Sequence, residues 1–160
     1  MTDLSAYSFE KLHEDHEFVV NRGTHGDAAT SVLLMEVALE RPLQSTVDRI
    51  LHAYSLAGEL DPAWAVRPLA LLEHRGHPAL LLYDPGGTYL DDALRASPSL
   101  SARLRLAIAC ARALGRFHAR RLIHRDIKSG HILVNVQTAE AWLTGFGLTT
   151  RLPRYRQSPE

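Results

Sequence analysis

A break at Asp84-Pro85-Gly86-Gly87 divides this chain into two stretches whose apolar residues repeat with different periods. Proline lacks a backbone donor and glycine pairs adopt conformations other residues avoid, so neither a helix nor a central strand runs through these positions. Before the break the apolar runs are short. Residues 17–22 predict a strand ending in turn residues 23–27, and residues 31–39 predict a second strand. Residues 67–73 and 79–83 are two apolar runs joined by 74–78, the pattern of a hairpin. Between these pairs the period changes. Val47, Ile50, Leu51 and Tyr54 recur at helical spacing over residues 45–57, with Ser45 and Asp48 placed as a capping box and Gly58 and Asp61-Pro62 closing the segment.

After the break the chain turns helical. Residues 90–96 form a short amphipathic piece. Residues 101–120 predict the longest helix, with Leu104, Ile108, Ala111, Leu114 and Phe117 as one apolar stripe and Arg103, Arg105, Arg112, Arg116 and Arg120 on a solvated face. Residues 132–136 and 141–144 read as short strands around a turn. The order predicts an α+β fold: a small antiparallel β lobe with one helix over 1–83, a hinge at 84–87, and a second, more helical part over 88–160.

Charge and cysteine usage narrow the function classes. A formal net charge of +0 supplies no global field toward nucleic acid or an anionic membrane. No apolar run approaches the ~20 residues of a membrane span, and no basic-then-apolar leader opens the chain, so neither a membrane nor a nucleic-acid partner is expected. The single cysteine, Cys110, sits among apolar residues as a packed thiol and fits a reducing, cytoplasmic setting. Nine histidines invite a metal reading. However, His13 with His16 and His74 with His77 have no third ligand near them in sequence, so they read as surface-loop histidines and no metal site is expected.

His124-Arg125-Asp126-Ile127-Lys128 follows the long helix, and Ile132-Leu133-Val134-Asn135 leads through a turn into Gly145-Phe146-Gly147. This unit resembles the catalytic loop and metal-binding turn of protein kinases of the serine/threonine type. The resemblance extends back over nearly the whole chain. Leu60-Asp61-Pro62-Ala63-Trp64, Arg67-Pro68-Leu69-Ala70-Leu71, Asp84-Pro85-Gly86-Gly87 and Leu143-Thr144-Gly145-Phe146-Gly147-Leu148 with Arg151-Leu152-Pro153 look like the kinase-like module that begins certain long bacterial signalling proteins, which also carry an ATPase and a sensor histidine kinase.

The resemblance implies that Asp126 stands at the position of the catalytic base and Lys128 at that of the lysine contacting the transferred phosphate. Other motif positions are degenerate. His131 replaces a metal-binding Asn and Gly145 replaces the main magnesium carboxylate. The glycine-loop region, residues 12–20, has no glycine and carries Glu14, Asp15 and Glu17. The strand over 31–39 lacks the ATP-gripping Lys, and the helix residue that should pair with it is Ala53. Ala70, Leu81 and Leu133 could line an adenine pocket and are equally ordinary core positions.

These changes imply weak ATP binding at most and poor Mg²⁺ binding. The expected function is that of a degenerate, pseudokinase-like module. The alternatives are an active serine/threonine kinase using a substitute carboxylate such as Glu36, or a truncated remnant. Ser158-Pro159-Glu160 resembles the end of an activation segment and is read as coincidence. The helices that complete a kinase large lobe do not follow in these residues, so the long helix is expected to expose apolar surface for a protein partner.

Overall fold

In the computed structural model, residues 4–26 and 31–153 are described. Five strands form an antiparallel sheet: β1 (Ser8–Glu14), β2 (Phe18–Thr24), β3 (Ser31–Val37), β4 (Pro68–His74) and β5 (His77–Tyr83), in the order β1-β2-β3-β5-β4. Helix α1 (Gln44–Ser55) connects β3 to β4. The β4–β5 hairpin turns through Arg75-Gly76, both at positive φ, which matches the right-handed twist of the flanking strands. Two sequence expectations change in this half. The segment read as a glycine-loop region holds the end of edge strand β1, whose mostly exposed side chains leave no alternating signal. The capping box is not made: α1 starts after Leu43, and the Asp48 side chain accepts instead from the Gln44 amide.

Beyond β5, residues 84–87 lead into β6 (Thr88–Tyr89), α2 (Leu90–Arg95) and α3 (Leu100–Ala119). β7 (Leu122–Ile123) pairs with β10 (Thr150–Arg151), while β8 (Ile132–Asn135) and β9 (Glu140–Leu143) form a hairpin that β6 extends. Residues 64–66 clamp onto β9: the Val66 amide donates to the Leu143 carbonyl, the Leu143 amide to the Trp64 carbonyl, and the Trp142 indole to the Pro62 carbonyl. One continuous apolar core therefore joins Val20, Leu33, Ile50 and Leu80 of the first half to Phe117, Leu133, Trp142 and Phe146 of the second. Among the described residues no helix is long and apolar enough to cross a membrane.

Helix α3 does not bury the stripe that its leucines suggest. Ala102, Leu106, Ala109, Ala113 and Phe117 face the core, while Leu100, Leu104 and Ile108 are 73%, 57% and 51% exposed. Ala102, Ala109 and Ala113 let the helix backbone approach β9 closely, with Leu106 and Phe117 filling the core beside them, while Leu100, Leu104 and Ile108 are left outside. Ser99 caps the helix by accepting from the Ala102 amide. Cys110 is half-buried against the core, and burial raises its thiol above the ordinary range, so it stays protonated.

Candidate functional site

The cleft between the sheet and the β8–β9 hairpin gathers the turn after β1, the inner face of β2 and β3, α1, and the loop over 124–131. Loop geometry begins at His124, which is almost fully buried. Its Nε2–H donates to the Thr144 carbonyl at 2.7 Å, and its Nδ1 accepts the Asp126 amide at 3.3 Å. Burial holds this imidazole below its ordinary pKa despite the Thr144 bond, so the ring is neutral and works as a brace. The brace holds Arg125 in the left-handed region at φ 67°, and this presents the Asp126 carboxylate to the cleft.

Asp126 and Lys128 lie side by side in the cleft, with the ammonium 3.8 Å from the carboxylate. A third group joins them. The turn between β1 and β2 lowers Asp15 to within 3.9 Å of Lys128. Burial alone would raise the Asp15 pKa, but amide donations from Phe18 and Glu17, each 2.8 Å, and the nearby Lys128 hold it below the ordinary carboxylate range. Glu17, next along the turn, pairs with Arg49 of α1 and accepts the Thr46 hydroxyl at 3.2 Å. Glu14 pairs with Lys11. Glu14, Asp15 and Glu17 are thus each matched to a cation, and two of those cations tie the turn to the cleft floor and to α1.

His131 and Gly145 meet at the cleft floor. The His131 Nδ1–H donates to the Asp126 carbonyl at 2.8 Å and lies 3.4 Å from its carboxylate. Burial depresses this imidazole too, outweighing the Asp126 contact, so the ring is neutral with its proton on Nδ1. Gly145 adopts φ 76°, and a Cβ there would fall 2.6 Å from Cγ and Nδ1 of the His131 ring. The imidazole occupies the space from which any side chain at 145 would project. In sequence His131 and Gly145 are two separate departures from the motif; in the fold they are one packing contact. The floor offers no carboxylate at 145, and the residues do not fit a magnesium ion held in hard oxygen ligands.

Met35 lines the cleft on β3, and Ala53 is buried on the inner face of α1, both within the same apolar core. Glu36, considered as a substitute metal ligand, points to the other face of β3, where it meets the Asn21 amide at 3.1 Å, His74 at 3.1 Å and Arg75 at 3.8 Å. It is outside the cleft. Leu81 also faces away: its neighbours Leu80 and Leu82 join the core with Leu33 and Met35, and the period-two alternation turns Leu81 toward Leu34 and Ala70. Leu133 is fully buried as core beneath Tyr89, its β6 partner. None of Ala70, Leu81 and Leu133 lines the cavity.

Two contacts escaped sequence reading, His13 on Tyr89 and Arg22 on Asp84. His13, expected in a surface loop, stacks on Tyr89 with ring centroids 4.3 Å apart across the cleft. His16, by contrast, is exposed. Arg22 of β2 makes a bidentate pair with Asp84, at 2.6 and 3.1 Å, and donates to the Gly87 carbonyl at 3.0 Å. Asp84 further accepts the Ser31 hydroxyl and the Gly86 amide. Burial would raise the Asp84 pKa, yet Arg22, Ser31 and Gly86 together lower it. These partners lie far apart in sequence, so no local spacing announces them. The remaining cavity holds about 40 Å³, room for a few waters and well short of the roughly 300–1,000 Å³ of small-molecule sites. The Ser158-Pro159-Glu160 motif lies outside the described residues. No protein-family model matches the sequence, and no curated protein is significantly similar to it.

Proposed function

We propose that the chain is a protein kinase-like module of the serine/threonine type, akin to the N-terminal modules of bacterial signalling proteins, which acts by binding and not by phosphoryl transfer. One observation carries the reading: the His131 ring packs against Gly145 where a magnesium-holding carboxylate would stand. Phosphoryl transfer depends on positioning the triphosphate and neutralising its charge. Lys128, one cation left in the cleft for that task, is already placed between Asp15 and Asp126. The Glu17–Arg49 pair supports the same reading, because it draws down the turn that would have to lift for a nucleotide to enter. On this reading Asp126 faces the cleft without a carboxylate at 145 beside it to hold a metal ion, and it assists no phosphoryl transfer.

The test is thermal unfolding with and without ATP and Mg²⁺, paired with a γ-phosphate transfer assay. A ligand at 100 times its Kd stabilises by about 2.7 kcal/mol, or roughly 5–10 °C in Tm for a domain of this size. A cooperative melt without that rise is expected. Transfer at ordinary kinase rates, abolished in Asp126→Asn, would overturn the proposal.

A further inference from the structure

The outer face of α3 has an unusual charge pattern beside its apolar stripe. Leu100, Leu104, Ala107, Ile108 and Ala111 are exposed along one side. Arg105, Arg112 and Arg116 follow one flank of that side at spacings of seven and four residues, which places them in a row along the helix. The helix contains no Asp or Glu, and among the described residues none of these three guanidinium groups has a hydrogen bond or ion pair. Glu140 of β9 lines the same groove as Arg112 and Arg116 without pairing with either, so the apolar seam has a cationic border with no ion-pair partner, half of a coiled-coil-like contact.

From this we infer that the face docks an amphipathic helix whose apolar seam is bordered by Asp or Glu. The charge pattern selects this occupant over the others. A second copy of the chain, laid antiparallel on the same stripe, would set the arginine row against its own copy, and like charges in register are repulsive. A membrane surface is the weaker match, because the stripe carries no aromatic residue to anchor at an interface. A helix with an acidic flank covers the leucines and meets the three arginines together. The inference rests on the binding-module reading above and names the chemistry of its partner.

The test uses the full chain and a designed three-heptad helical peptide with a leucine seam and a glutamate flank, read by fluorescence anisotropy. A second peptide carries lysine in place of each glutamate. The glutamate peptide is expected to bind, with affinity falling as salt rises. The double variant Arg112→Glu/Arg116→Glu should weaken it about ten-fold and should gain the lysine peptide. These side chains are exposed, and a circular dichroism melt verifies the fold of the variant.

Equal binding of both peptides, or binding of neither, overturns the inference. So does arginine-dependent binding to phosphatidylserine vesicles in place of the peptide, or a dimer in sedimentation that Ile108→Glu dissolves. The ATP and Mg²⁺ melt on the same preparation separates the two claims. No peptide binding with a nucleotide-insensitive melt sinks the docking face alone. A magnesium-dependent rise in Tm sinks the parent reading whatever the peptide does.

Discussion

Placing an aspartate at position 145 should damage the protein unless His131 is changed with it. In Gly145→Asp the new Cβ falls 2.6 Å from the imidazole, far inside van der Waals contact, so the ring must move. Moving it breaks the 2.8 Å bond to the Asp126 carbonyl, worth about 1 kcal/mol. A non-glycine residue at φ 76° adds roughly 1–2 kcal/mol, and an off-rotamer ring about 1 kcal/mol. Gly145→Asp alone should therefore cost about 3 kcal/mol in urea unfolding. His131→Asn alone removes ring packing and should cost about 1 kcal/mol. Together the overlap disappears and mainly the backbone strain remains, so the double variant should lose about 2 kcal/mol instead of the additive ~4. That coupling of about 2 kcal/mol exceeds the ~0.5 kcal/mol scatter of independent sites. Additivity within that scatter, or a Gly145→Asp cost below about 1 kcal/mol, would refute the claim that the imidazole and a side chain at 145 compete for one volume.

Three further outcomes follow from the same geometry. Asp84→Asn leaves Arg22 without its buried counter-charge and should lower the urea midpoint by the equivalent of about 3 kcal/mol, measured by tryptophan fluorescence. Arg49→Met frees the β1–β2 turn and should cost about 1 kcal/mol while speeding amide exchange at Phe18. Acid should destabilise the fold in two stages. His124 and His131 have folded pKa values below the unfolded ~6.5, so their contribution is complete above that value and is lost as pH falls through the folded ones. Asp84 and Asp15 are depressed carboxylates, whose contribution is complete above ~3.9 and fades only below it. Melts between pH 7 and pH 3 should show both declines, and a flat response from pH 7 to 5 would count against the buried neutral histidines.

The elements that sequence reading found are those with local causes. The β4–β5 hairpin announces itself through Arg75-Gly76, and α1 through the spacing of Val47 and Ile50. The five-stranded antiparallel sheet and the few helices agree with the α+β expectation. Orientation was harder to read. Helix α3 has two apolar sides, and hydrophobicity alone favours the one with Leu104 and Ile108; the side with Ala109 and Ala113 wins because small residues allow close packing on β9. In the site, Asp126 and Lys128 were legible because they share a loop. The Glu17–Arg49, Arg22–Asp84 and His131–Gly145 contacts join distant segments, and only folding brings them together.

The linker at 84–87 also has a mechanical consequence. Its two glycines suggest a free pivot, yet Gly87 presses so close to β8 that a Cβ there would meet the Val134 carbonyl oxygen at 2.2 Å, and Asp84 holds the start of the linker in a cage of donors. Here glycine serves proximity more than suppleness. Swinging the sheet away from the β8–β9 hairpin would mean undoing that cage and prising the backbone off its neighbour in the same event, so this joint behaves as a weld.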